Sequence, residues 1–353
     1  MERLEEEGLD GLFVGPSGDL LYLVGLDLFQ DERCKGLMVS RKGCFGLVPL
    51  LYRQEMGRHM EGVPLFVWDD RDGFAGAFGE GCRSLGLEGE VIGINCGMRA
   101  VDLIDAQGVL KARYVNGAKV LDPMRRVKSP EELALMRKAS GLADLVMDKV
   151  YRFLRPGLSE RRVKEFILKS FDELGTVPSF DPIVAFGANA SMPHYGGGDA
   201  VGEEGDCAVL DFGCRVGGYC SDMTRTFFLG GVPDESAEVY RVVLESQLKG
   251  IGAVRPLVAA QEVDRAARDV IARAGYGEHF LNRLGHGIGL EVHEGPYIVE
   301  GNDTPLEVGN VFSVEPGIYI PGKLGVRIED LVAVGEAGAE VLNSFPKELM
   351  TTP

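Results

Sequence analysis

Strand-length apolar runs separated by turn residues dominate the first third of the chain. Residues 11–14, 37–40, 44–50, 63–68 and 91–95 are rich in Val, Leu, Ile and Phe and are bounded by Gly, Asp, Ser and Lys-Gly clusters. They predict short β-strands with helices between them, a small α/β domain built on a mixed sheet. The pattern changes near residue 122. Asp122-Pro123 followed by Arg125, Arg126 and Lys128 is a polar break, and Ser129-Pro130-Glu131-Glu132 then forms a capping box with Pro at the first helical position. This predicts a long helix over 130–153 and a division into domains 1–122 and 123–353.

The second part repeats itself weakly. Arg155-Pro156, Val163 and Gly175 recur as Arg255-Pro256, Val263 and Gly275, an offset of 100. Each copy has a long helical pattern before the Arg-Pro (130–153 and 236–253), a second after it (159–174 and 260–274), and Gly-rich strands beyond. So few matches also arise by coincidence; if real, they describe a duplicated α-α-β unit.

Composition narrows the class. A chain of 353 residues suits about two domains at ~150 residues each. The formal net charge of −17 disfavours nucleic acid and anionic membrane surfaces and favours cations. No apolar run reaches the ~18 residues of a membrane span, and the acidic start Met-Glu-Arg-Leu-Glu-Glu-Glu is unlike a secretory leader. The 7 cysteines contain no C-x-x-C pair and lie in apolar or Gly-rich surroundings, as expected of reduced thiols in the cytoplasm.

Two hairpins carry the candidate chemistry. Leu210–Phe227 reads as two strands around Val216-Gly217-Gly218; with the turn at 216–217, Asp211 and Asp222 face each other. The stretches 311–317 and 325–331 flank Pro321-Gly322-Lys323, and Glu315 and Glu329 are symmetric about Gly322. Opposed carboxylates destabilise a sheet unless something compensates them. A pair of divalent cations would do so, whereas solvated acids on an outer face are the plain alternative. Of the 5 histidines, His194, His286 and His293 lie in Gly-rich or loop contexts, with glycines on both sides of His286. An imidazole beside carboxylates suits Mn, Co, Fe or Zn better than Ca or Mg alone. His59 and His279 read as ordinary hydrogen-bonded residues.

The ordered set Asp211, Asp222, His286, Glu315 and Glu329, in the contexts D-F-G, S-D-M-T-R-T, G-H-G-I-G, S-V-E-P-G and R-I-E-D, resembles the pita-bread metallopeptidases. Within them it is most similar to the Xaa-Pro group, prolidase and aminopeptidase P. The resemblance is strong over about residues 123–350. It implies an α+β fold: a C-terminal pita-bread domain with pseudo-twofold α-α-β repeats, preceded by a smaller α/β creatinase-like domain. It implies a homodimer and an exopeptidase cleaving Xaa-Pro bonds with two divalent ions, Mn or Co first and Zn or Fe as alternatives, by attack of a hydroxide bridging them. Asp211 would chelate one ion, Asp222 and Glu329 would bridge, and His286 and Glu315 would hold the second. His194 and His293 match the family's non-ligand active-site histidines, Glu315 becomes the proton shuttle, and Arg327 would support Glu329. No organic cofactor is implied.

One position departs from the family pattern. Tyr297 stands directly after H-E-x-P, where many prolidases place an arginine for the dipeptide's carboxylate, and tyrosine cannot replace that cation. Longer Xaa-Pro peptides therefore gain weight as substrates unless another residue or a partner subunit supplies the charge. A methionine-type or broad aminopeptidase is the alternative enzyme. A metal-free creatinase-like hydrolase and a peptide-binding protein reusing the fold both predict lost ligands, and here all five are present.

Overall fold

The computed structural model describes residues 1–352. Contacts divide the chain into two compact units, Met1–Arg125 and Arg126–Pro353. No helix among the described residues is long and apolar enough to cross a membrane.

The first unit is built on one six-stranded sheet. Strands β1 (Gly11–Val14), β2 (Gly36–Ser40), β3 (Gly43–Pro49), β4 (Leu65–Trp68), β5 (Val91–Ile94) and β6 (Arg113–Asn116) take the order β4-β3-β2-β1-β5-β6. β1, β2 and β3 pair antiparallel, whereas β3–β4, β1–β5 and β5–β6 are parallel, so the sheet is mixed. β6 is an addition to the strands read from sequence. Before β2, Lys35 is buried and donates to Asp31, whose other oxygen accepts from the Tyr52 hydroxyl at 2.6 Å.

The second unit opens on the capped helix Pro130–Phe153: Glu132 N–H donates to the Ser129 hydroxyl at 3.3 Å, and Ser129 N–H to the Glu132 carboxylate at 2.6 Å. The duplication is real. Helices Glu160–Glu173 and Ala260–Arg273 lie 100 positions apart, following the long helices Pro130–Phe153 and Asp234–Ala253. Val163, Ile167 and Phe171 enter one core, and Val263, Ala267 and Ile271 fill the same positions in the other. Even the turns correspond, since Gly157 N–H donates to Gly202 carbonyl and Leu257 N–H to Leu306 carbonyl.

Each half carries a long ribbon interrupted part-way. In the first, β7 (Val177–Pro178), β8 (Ile183–Phe186), β9 (Cys207–Phe212), β10 (Cys214–Val216), β11 (Tyr219–Cys220) and β12 (Met223–Leu229) divide between two sheets: β9 and β12 pair in one, β10 and β11 in the other. In the second, β13 (Gly285–Gly287), β14 (Glu294–Ile298), β15 (Val311–Val314), β16 (Gly317–Ile320), β17 (Leu324–Arg327), β18 (Asp330–Gly335) and β19 (Gly338–Val341) repeat the device. There β15 pairs β18 and β16 pairs β17, and β20 (Thr351–Thr352) closes the chain against β12.

The expected register holds in the second ribbon, where Val314 pairs Asp330 and Gly317 pairs Arg327 symmetrically about Gly322. It fails in the first. Val216 pairs Tyr219, so the turn is Gly217-Gly218, and Asp211 faces Thr224 instead of Asp222. The reason is backbone geometry: a two-residue turn of this hand needs positive φ at both central positions, and φ is +58° at Gly217 and +87° at Gly218.

Two predictions follow from these elements. Leu257 has φ +68° with its side chain in solvent, where its counterpart is Gly157 at +88°. A non-glycine residue in that region carries a strain of about 1–3 kcal/mol. Leu257→Gly should raise stability by a net of about 1 kcal/mol after the entropic cost of glycine, read by calorimetry, and Gly157→Leu should lower it. The second concerns acid. Burial would raise the Asp31 carboxyl, but hydrogen bonds from Lys35, Tyr52 and the Arg33 N–H outweigh it and hold it at about 2. A depressed carboxyl contributes stability fully above its ordinary pKa of about 4, and that contribution is lost as pH falls toward 2. Denaturant unfolding should therefore show Asp31→Asn less stable than the parent at pH 5, with the gap closing at pH 2.

Candidate metal centre

The two ribbons break where carboxylates stand. Asp222 lies between β11 and β12, Glu315 between β15 and β16, and Glu329 between β17 and β18, whereas Asp211 stands within β9, one residue before its end and paired with Thr224. A residue in a continuous ladder, such as Asp211, has its direction fixed by the pleat; the three acids at breaks are free of that alternation, so they can point into the space that Asp211 faces. His286 reaches it from β13. Its flanking glycines are required by neighbouring backbone: a Cβ on Gly285 would lie 1.8 Å from the Ser313 carbonyl oxygen, and one on Gly287 2.1 Å from that of Gly295.

All five ligand candidates and both other histidines line one cavity of ≈ 620 Å³. Donor atoms of Asp222, His286 and Glu329, all buried, lie within 4.8 Å of one another. His286 Nε2 is 3.2 Å from Glu315 Oε1 and 3.7 Å from Asp222 Oδ2. Its Nδ1 is 3.1 Å from the Gly287 carbonyl, and its Nε2 faces the acids.

The electrostatics are those of a site short of positive charge. Burial, then the neighbouring carboxylates Glu329, Asp211 and Glu315, pushes Asp222 far above the ordinary range. Burial, then Glu315 and Asp211, does the same to Glu329. Asp211 is raised by burial, opposed by Arg327. Only Glu315 is lowered, because His286 and Arg327 outweigh its burial. Asp211 Oδ1, Asp222 Oδ1 and Glu329 Oε1 are buried with no hydrogen-bond partner. Orphaned carboxylate oxygens around an imidazole nitrogen are a donor set for divalent cations, which fit here.

Arg327 holds the frame. It donates to Asp211 Oδ2 at 2.6 Å, to the Thr224 hydroxyl at 2.9 Å and to the Tyr319 hydroxyl at 2.8 Å. Thr224 in turn donates to Glu329 Oε2 at 2.6 Å, so one chain of bonds orients a carboxylate from each ribbon. Ser313 does the same for the second ribbon, accepting from His286 N–H and donating to Glu315 at 2.9 Å. Thr224, Tyr319 and Ser313 were not singled out from sequence. Thr224 could have been, lying two residues from Asp222 in the same motif; the other two offer no local signal.

His194 and His293 lie in the cavity wall, with Phe180, Ile183 and Val292 as apolar lining. The His293 ring meets that of His286 edge-on at 4.2 Å between centroids. Burial, then the charges of His286 and Arg283, pushes it down to about 4, leaving it neutral at pH 7. Tyr297 is not among the lining residues. Its ring lies beneath the guanidinium of Arg283, 4.5 Å from the centroid, and Arg283 does line the cavity.

Residues 134–336 match the model of metallopeptidase family M24. The chain belongs to that family. It is 38% identical over 355 aligned residues to a probable dipeptidase PepE of Mycobacterium bovis, covering 99% of this M24 chain and 93% of that one. Among solved structures, a dipeptidase from Pyrococcus horikoshii is similar at 37% identity and a TM-score of 0.93, over 99% of this chain and 98% of the other. A prolidase from Thermococcus sibiricus is similar at 34% identity and a TM-score of 0.95, over 99% and 96%. The fold expected from the resemblance, a pita-bread domain behind a smaller α/β domain, is thus the fold of this M24 protein.

Charge repulsion at the centre gives a prediction. In protein stripped by chelator, Asp222→Asn removes one of the crowded acids and should raise Tm by about 2–4 °C, the shift per kcal/mol for domains of this size. Scanning calorimetry in EDTA checks it.

Proposed function

We propose that this M24 protein is an Xaa-Pro exopeptidase acting on dipeptides or on peptide N-termini. The observation that carries the reading is the cavity itself, in which four carboxylates, three of them buried, and the imidazole of His286 adjoin an apolar wall, in a family whose similar members are named dipeptidase and prolidase. Asp211, Asp222, His286, Glu315 and Glu329 would hold two divalent ions, Mn or Co in preference to Zn or Fe. Bound there, the ions would supply a Lewis acid for the scissile carbonyl and acidify water at neutral pH. Catalysis belongs to residues 123–353, with 1–122 as the accessory domain.

The chain's own groups then have separate tasks. Glu315 is the acid held ionised, which suits it to take a proton and deliver it to the leaving imide nitrogen. His293, neutral at pH 7, and His194 can donate to the developing oxyanion. Phe180, Ile183 and Val292 offer the pyrrolidine ring an apolar surface. Arg327 and Thr224 keep Asp211 and Glu329 in place between turnovers. Since an Xaa-Pro bond has no N–H, a pocket that reads the ring rather than that donor selects it.

A homodimer in a reducing cytoplasm completes the reading. It is supported by Phe29, Leu50 and Leu51 exposed in the first unit, and by 7 cysteines that are all free.

Protein stripped of metal and reloaded with Mn, Co or Zn should hydrolyse Ala-Pro or Ala-Pro-Ala faster than Met-Ala-Ser. No turnover after any reload would overturn the peptidase reading, and a preference for Met-Ala-Ser would shift it to a broad aminopeptidase. Mn at about 100 times its Kd should also stabilise the protein by about 2.7 kcal/mol, and Glu329→Gln should lose most of that gain.

A further inference from the structure

The duplicated halves of the second unit serve as controls for one another, and at one turn they differ. Glu160 and Ala260 occupy the same place, the first residue of the second helix in each half. The backbone around them is the same: Glu160 N–H donates to the Ala200 carbonyl and Ala260 N–H to the Thr304 carbonyl, and the preceding residues bridge Val201 and Pro305. The second half thus builds this turn without an acid, its alanine buried among apolar neighbours. Glu160 is just as buried, at 1% exposure, and loses a carboxylate's hydration that the turn itself does not ask it to lose. Attraction to a helix N-terminus explains an acid in the first turn, but not its burial.

What Glu160 touches is the segment that carries His194. Its Oε1 accepts from the Phe186 N–H and from the Asn189 side-chain amide, both at 2.9 Å, and its Oε2 accepts from the Tyr195 hydroxyl at 2.9 Å. Asn189 also donates to the Tyr195 oxygen at 3.0 Å, closing a ring of three side chains. Gly198 lies directly against that ring, since a Cβ there would stand 2.4 Å from the Tyr195 hydroxyl. On the other side of His194, the Pro193 carbonyl accepts from Arg327 at 3.3 Å, and the Ser191 hydroxyl accepts from the Gly322 N–H at 3.2 Å. His194 itself is exposed in the cavity wall, and among the described residues it has no hydrogen-bond or ion-pair partner. Its aim therefore comes from the chain on either side. We infer that Glu160, which does not line the cavity, is a positioning residue: through Tyr195 and Asn189 it fixes the backbone that presents His194 to the substrate. The inference rests on the Xaa-Pro reading above, in which His194 donates to the developing oxyanion. A displacement of about 1 Å in such a group costs up to about a hundredfold in rate.

The test is a double-mutant cycle on metal-loaded protein, with whichever of Ala-Pro and Ala-Pro-Ala the parent cleaves. It uses Tyr195→Phe, Glu160→Gln and His194→Ala, and each of the first two combined with the third. Tyr195→Phe removes one hydroxyl and leaves the bonds of Glu160 to Phe186 and Asn189, so the test survives even where Glu160→Gln does not fold. It should lower kcat by about tenfold with KM little changed, and Glu160→Gln should lower it by at least as much. In the His194→Ala background neither change should cost anything further. The same loss with and without His194, a change in KM alone, or no loss would overturn the inference. So would a parallel loss of Mn affinity, which should stay at the parent's value. A readout without turnover is the imidazole resonance of His194 in the Zn-loaded protein, identified by its disappearance in His194→Ala. Tyr195→Phe should shift or broaden it and leave the resonances of His59 and His279 in place; an unmoved His194 resonance would overturn the inference. If the loaded parent hydrolyses no Xaa-Pro peptide, the functional reading fails, and the resonance still decides this one.

Discussion

Everything in the catalytic unit is organised around one unfavourable interaction, the crowding of four carboxylates in one cavity. No arrangement of side chains in the cavity cancels it: Arg327 brings one full positive charge, and Asp222 and Glu329 are still forced toward protonation. The fold can impose the crowding because the acids are fixed by backbone already committed elsewhere. Each ribbon is pinned on both sides of its break by ladders, β9–β12 and β10–β11 in one half, β15–β18 and β16–β17 in the other. Repulsion between the acids would have to unzip a ladder to relieve itself, so it is stored as altered proton affinity and as demand for cations.

The duplication explains how such a site is assembled. Asp211 and Asp222 belong to the first half, and His286, Glu315 and Glu329 to the second. The seam between the halves is polar and tightly registered. Arg327 reaches Asp211, Thr224 reaches Glu329, and Thr226 exchanges hydrogen bonds with the backbone of Arg327. Buried Arg225 adds bonds to the Glu329 carbonyl and to Asp330 at 2.6 and 2.7 Å, and Asp330 also binds Gln247 and Lys347. A seam of this kind is specific where an apolar one would slide, since any shift leaves several buried polar groups without partners.

How much of this is legible in the chain depends on how local the cause is. The helix at Pro130 is announced by its own cap, and the second ribbon's register by a turn symmetric about Gly322. The first ribbon misleads because the expected turn at Val216-Gly217 and the observed one at Gly217-Gly218 differ by one position, a choice made by φ at Gly217 and Gly218. The β6 strand, Arg-Tyr-Val-Asn, has too little apolar signal to stand out, being an edge strand defined by its neighbour β5. The carboxylates and His286 could be read as a set because acids at symmetric positions in apolar strands are an anomaly that demands a cause. Tyr319 and Ser313 could not. Each is unremarkable in its own segment and acquires a role only from a partner far along the chain or across a strand.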